Sequence, residues 1–162
     1  MTEHPDVVSV ERFIPAPAER IFALIADPSQ HHAFDGSGTV REAKDVGSEP
    51  LQLGSKFGMH MKLGFPYSMV NTVVEYEPNR RIAWQTRPPG VFAKLFGGRI
   101  WRYELEPVPG DESRTTVTET FDWSTAKSTQ YVEILGWPKR NEANLHATLE
   151  RLAAYFEHRA DL

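Results

Sequence analysis

Apolar and polar positions alternate through the middle of the chain, and a three-four spacing takes over at its end. Trp101, Tyr103 and Leu105 share one parity while Arg102, Glu104 and Glu106 share the other. Val117, Phe121 and Trp123 oppose Thr116, Thr118, Thr120 and Asp122; Phe57, Met59, Met61 and Leu63 oppose His60 and Lys62. A period of two predicts strands with one buried and one wet face, the signature of an antiparallel sheet covered on one side. Leu145, Leu149, Leu152 and Phe156 instead form one apolar stripe, which predicts a long helix starting near Pro138.

The rest of the chain fills in around these. Val7 to Ile14 reads as a first strand, stopped by Pro15. Ala16-Pro17-Ala18-Glu19 opens a helix whose apolar face is Ile21, Phe22, Leu24 and Ile25; proline fits a first turn because its missing N–H would be an orphan there. Asp27-Pro28 ends it, and a short second helix is expected over Ser29 to Phe34. Further strands are expected at 39–45, 56–63, 67–77, 81–86, 99–107 and 114–124. Turn chemistry at Gly64-Phe65-Pro66, Pro78-Asn79, Pro88-Pro89-Gly90 and Pro109-Gly110-Asp111 separates most of them. Tyr131, Ile134 and Leu135 suggest a turn or short helix before the last one. The predicted order is strand, two short helices, six strands, long helix. The parity of 67–77 is ambiguous because Val73 and Val74 are adjacent.

With 162 residues, one domain with a substantial core is expected over 1–162. Lys and Arg number 18 against 22 Asp and Glu, a net charge of −4 that argues against nucleic-acid binding. The absence of cysteine excludes a disulfide framework, a thiolate metal site and a thiol nucleophile. Met1 to Asp6 show no signal-peptide pattern and no apolar run approaches membrane-spanning length, so a cytoplasmic protein is expected.

The phrase Ala16-Pro17-Ala18-Glu19-Arg20-Ile21-Phe22 leading into Asp27-Pro28 resembles the START-like (SRPBCC, Bet v 1-like) helix-grip superfamily. Within it the chain is most similar to the bacterial polyketide cyclase/dehydrase family, and the resemblance, which runs over about 6–158, implies that this stretch is the core of the domain. Gly54-Ser55-Lys56-Phe57 fits the glycine that opens that family's third strand; Val73–Pro78 followed by Arg81–Trp84 fits its fourth and fifth, and Ser113–Thr120 its seventh. The resemblance implies an α+β helix-grip fold: a curved antiparallel sheet of about seven strands around a long C-terminal helix, with a cavity between them. The superfamily's lipid carriers, cyclases and quinone- or hormone-binding proteins make a small hydrophobic ligand the expected partner. No cofactor is implied, and the state is expected to be a monomer or a homodimer.

Arg87 to Gly98 is longer and more apolar than a hairpin turn needs. It is expected either to form a flap of Phe92, Leu95 and Phe96 over the cavity mouth, with transient membrane or protein contact through 91–96, or to plug the sheet end as core.

Common catalytic signatures, including G-x-S-x-G, a Walker loop and H-E-x-x-H, are missing. His31-His32 with Asp35 makes a poor metal site because adjacent helical side chains diverge, and Asp35-Gly36-Ser37-Gly38 reads as a turn. The notable residue is Glu119, inward between Val117 and Phe121. Either it is desolvated, with a raised pKa suited to general-base chemistry, or it lies at the cavity mouth, paired with an arginine or reaching water. Tyr103 on the same face is either a ligand or enolate hydrogen-bond donor or a core tyrosine satisfied by backbone.

Phe57, Met59, Met61, Trp84 and Trp101 are candidate ligand contacts, as are Val117, Phe121, Trp123, Leu145 and Leu149. Soft thioethers and aromatic rings suit apolar ligands, though ordinary core packing would use the same residues. Asn141, one turn before Leu145, would orient a ligand or sit at the wet end of the helix. Three function classes follow: a carrier of a lipid, polyketide or quinone-like molecule; a cyclase or aromatase-dehydratase using Glu119 and Tyr103; or a protein-interaction module with a vestigial cavity.

Overall fold

The computed structural model describes residues 6–36, 40–44, 49–63, 65–91, 97–125 and 137–159, with backbone only for 40–44, 59–63, 65–68 and 137–138. Seven antiparallel strands form one sheet in the order β1-β7-β6-β5-β4-β3-β2. They are β1 Val7–Ile14, β2 Val40–Lys44, β3 Lys56–Leu63, β4 Phe65–Glu77, β5 Arg81–Arg87, β6 Arg99–Val108 and β7 Asp111–Asp122. Helix α1 (Ala18–Ile25) and the single turn α2 (His31–Phe34) separate β1 from β2, and α3 (Trp137–Glu157) closes the chain. This is the helix-grip arrangement: strands 2 to 7 form a meander, and β1 pairs with β7 along its whole length.

Local chemistry accounts for the element ends. Pro17 is extended (φ −63°, ψ 149°) and stands just before α1, whose first turn carries Glu19. The second helix expected over Ser29 to Phe34 is divided. Pro28–Gln30 form a 3-10 turn, started by an Asp27 carboxylate that accepts from Ser29 N at 3.1 Å and Ser29 Oγ at 2.6 Å, and α2 follows. The turn expected at Gly64-Phe65-Pro66 is shorter, since Phe65 and Pro66 already pair with Leu63 and Lys62.

A β-bulge resolves the Val73/Val74 ambiguity. Val73 pairs with Trp84 but Glu75 pairs with Ala83, so Val74 has no opposite number; Val73 is buried and Val74 exposed. Parity flips there, placing Asn71, Val73 and Tyr76 inward.

Helix α3 lays its Leu145, Leu149, Leu152 and Phe156 stripe against β1 and β7. It also touches α2 through a close approach at Gly36. Gly36 N donates to Thr148 Oγ1 at 2.9 Å, and a Cβ on Gly36 would stand 2.3 Å from Thr148 N. Glycine is required there by contact; Ser37 and Gly38 of the expected turn lie outside the described residues. The sheet's outer face is drier than alternation predicts: Thr120 and Asp122 are buried. Ser9 and Thr120 share a 2.8 Å hydrogen bond, while Arg102 bridges Glu75 at 2.6 Å and Asp122 at 3.6 Å. Among the described residues no helix is long and apolar enough to cross a membrane.

Candidate functional site

Register builds the site. Tyr103 pairs with Ile82 on one side and Glu119 on the other, while Trp101 pairs with Trp84 and Phe121. All of these share the inward face, so directly opposite side chains meet there. Trp101, Phe121 and Trp123 form a row of tilted rings, with centroids 4.7 Å and 5.4 Å apart. A second ring cluster joins Phe57, Trp84 and Tyr103: the Phe57–Trp84 centroids are 5.5 Å apart and the Trp84–Tyr103 centroids 5.6 Å.

His31 completes that second cluster. It stacks on Trp84 at 5.1 Å and 20°, and meets Phe57 and Phe34 edge-on. Its Nε2–H donates to Ile25 O at 2.7 Å, and burial pushes its pKa down to about 4, which keeps the ring neutral. Neighbouring His32 is exposed, so the two histidines diverge as their helical spacing requires.

Inside this aromatic wall lies a carboxyl–phenol pair. Tyr103 Oη donates to Glu119 Oε1 at 2.8 Å, and the two residues are 4% and 3% exposed. Among the described residues the Tyr103 hydroxyl is the hydrogen-bond partner of the Glu119 carboxyl, so the tyrosine donates to a side chain and not to backbone. Desolvation pushes the Glu119 pKa up to about 8; the Tyr103 hydrogen bond opposes the shift and the Asp35 charge adds to it. Burial raises the Tyr103 phenol as well, reinforced by Glu119. Glu119 Oε2 and Trp123 Nε1, buried on the same face, have no hydrogen-bond partner among the described residues.

A second polar pair lies inward on the neighbouring strands. Thr86 Oγ1 donates to Asn71 Oδ1 at 2.6 Å, and both residues are buried. Sequence reasoning missed Asn71, Thr86 and His31. The bulge hid the parity of Asn71, and a four-residue helix is too short to display the period that would have turned His31 inward. Isolated polar residues in otherwise apolar segments were the available signal.

Of the other candidates, Val117, Leu145 and Leu149 are buried, while Asn141 is half-buried at the start of α3. Met59 lies opposite Met69, and Met61 opposite Tyr67, in the β3–β4 ladder. Phe92, Leu95 and Phe96, and Tyr131, Ile134 and Leu135, lie outside the described residues. The end of the 87–98 segment is clamped: Gly98 N donates to Thr86 O at 2.9 Å, and Gly98 O accepts from Gln85 Nε2 at 3.0 Å and Thr125 Oγ1 at 2.8 Å. Gly97 and Gly98 take φ of 85° and 100°, a region other residues rarely adopt, and a Cβ on Gly97 would press on Thr86, Arg87 and Pro88, so glycine suits this close approach.

The family model for polyketide cyclase/dehydrase and lipid transport proteins matches residues 6–157. The chain belongs to this family. Protein Rv0088 of Mycobacterium tuberculosis is 38% identical over 154 residues, which are 92% of this chain and 63% of that protein. The chain therefore spans less than two thirds of that relative's length. Among solved structures, protein CV1439 of Chromobacterium violaceum superimposes with a TM-score of 0.67 at 18% identity, covering 93% of this chain and 96% of its own. The AHSA1-like protein of Aeromonas hydrophila does so with a TM-score of 0.65 at 19% identity, covering 95% of this chain and 94% of its own. At these identities the likeness is one of fold. For the polyketide cyclase/dehydrase and lipid transport family, that fold is one suited to ligand binding, with the sheet's inward face turned to the C-terminal helix.

Proposed function

We propose that the protein binds and carries a small hydrophobic molecule, of lipid, polyketide or quinone-like chemistry, between the inward face of the sheet and α3. One observation carries the reading: a nearly continuous wall of rings, His31–Phe57–Trp84–Tyr103 and Trp101–Phe121–Trp123, is interrupted by the Glu119–Tyr103 and Asn71–Thr86 pairs. A folding core gains nothing from a buried carboxyl, whose desolvation costs free energy, whereas a binding surface uses a few polar groups to orient an apolar guest. Family membership supports the same reading.

The test is a native mass spectrum of protein freshly purified from its own host, with extraction of any added mass. A discrete hydrophobic species is expected. A bare mass, with no uptake from a host lipid extract, would count against binding.

One observation favours a second reading, an enzyme of the cyclase or aromatase-dehydratase type. A carboxyl titrating at about 8 is suited to taking a proton between two carbonyls in an aldol-type ring closure, with the phenol beside it. Under that reading Glu119→Gln abolishes turnover of a poly-β-carbonyl substrate while leaving its binding intact.

A further inference from the structure

We infer that the open crevice between Pro28 and residues 49–57 is the entrance to the ring-lined interior, with the Phe57 side chain as its gate. This deepens the ligand-binding reading and rests on it.

The crevice has a volume of about 450 Å³, which suits a small molecule. One wall is Pro28, in the turn between α1 and α2; the other is the segment that leads from Glu49 into β3. Phe57 belongs to both spaces. It lines the crevice, yet only 2% of its surface is exposed, and its ring meets His31 and Trp84 edge-on with centroids 5.5 Å away. The ring thus stands between the crevice and the aromatic wall.

The surroundings let that ring move. The crevice gives it room to swing, and the buried side chains of Pro28 and Leu51 offer it apolar contacts there in exchange for those it leaves. Among the described residues, the backbone hydrogen bond that joins the two walls is Leu51 N to Ala26 O at 2.8 Å. The other bonds of the segment run to β4 or within itself: Gly54 N donates to Val73 O, Val73 N to Ser55 O, and Gln52 N to Ser55 Oγ. Opening one backbone bond to water costs little net free energy, so the walls can part without disturbing the sheet. At the rim Leu53 is 66% exposed and gives an apolar guest a first contact. The β5–β6 end of the sheet is held differently, since Gly98 is tied there to Thr86, Gln85 and Thr125.

The test exploits the absence of cysteine, which lets a single introduced thiol be labelled. Leu53→Cys, at the crevice rim, and Val91→Cys, past the end of β5, are each labelled with biotin-maleimide and capped with streptavidin. Stopped-flow fluorescence of the neutral apolar dye Nile red follows entry into the whole protein and exit from it. The cap at position 53 is expected to slow both rates about tenfold, as a closed path does. Equilibrium affinity should stay unchanged, because a plug alters the path and not its ends. The cap at position 91 should leave both rates as they were. Without any cap, Phe57→Ala should speed both entry and exit. The capped proteins keep the Phe57 ring, so they decide the matter even where Phe57→Ala does not fold.

Dye binding with rates that the cap at position 53 leaves unchanged overturns the inference while ligand binding stands. Failure of the dye to bind, together with a bare native mass, overturns both.

Discussion

At the residue scale, two buried titratable groups are displaced in opposite directions. Glu119 is raised to about 8, so its contribution is fully present below the ordinary carboxylate range and is lost as pH rises through about 8. His31 is lowered to about 4, so its contribution is present above about 6.5 and is lost as pH falls through 4. Between about 4.5 and 6.5 the two slopes oppose each other, and urea denaturation should place the maximum contribution of this pair there. Glu119→Gln should flatten the alkaline limb, stabilising the fold at pH 9 by an order of a few kcal/mol relative to wild type. His31→Phe should flatten the acid limb. Tyr103→Phe removes the one hydrogen bond that lowers the Glu119 pKa, and a carboxyl titration followed by infrared or NMR should then find it above 8. The inward placement of Glu119 was legible in the alternation of β7. Its phenol partner was not, because pairing depends on which residue of β6 stands opposite.

At the element scale, two adjacent valines and one glycine carry the predictions. Val73→Ala opens space in the sealed interior and should cost about 1–3 kcal/mol. Val74→Thr, one residue on, lies at the exposed bulge and should change stability by less than about 0.5 kcal/mol. Chemical denaturation of the two variants under one condition gives the contrast; equal losses would mean the bulge lies elsewhere. Gly36→Ala drives a methyl into the α3 backbone at Ala147 and Thr148, and should cost about 2–3 kcal/mol or loosen α2 from the long helix. Thr148→Val, which strands Gly36 N without its acceptor, should cost about 1 kcal/mol. Strand identities were readable wherever alternation was clean, as in β6 and β7. They blurred at the bulge and in the single-turn α2, where too few residues sample the period.

For the whole molecule, the pairing of β1 with β7 at one edge of the sheet brings the inward face against α3, and the family and the neighbouring folds agree with that arrangement. Under the proposed ligand-binding reading, a hydrophobic guest should raise the thermal midpoint by an amount that grows with the logarithm of its free concentration over Kd, so protein stripped of its guest is expected to melt lower and recover on reloading. The order of elements and the aromatic character of the inward strand faces were determined by the sequence itself, since periodicity and turn chemistry act over a few neighbouring residues; the helix-grip fold was implied by the family resemblance. Only the tertiary structure decided that Tyr103 meets Glu119, that His31 stacks on Trp84, that Asn71 pairs with Thr86, and that Gly36 presses on α3. Each of those contacts joins segments through ladder register or helix docking. Register is settled by the summed burial of whole faces, a quantity that no local stretch of residues contains.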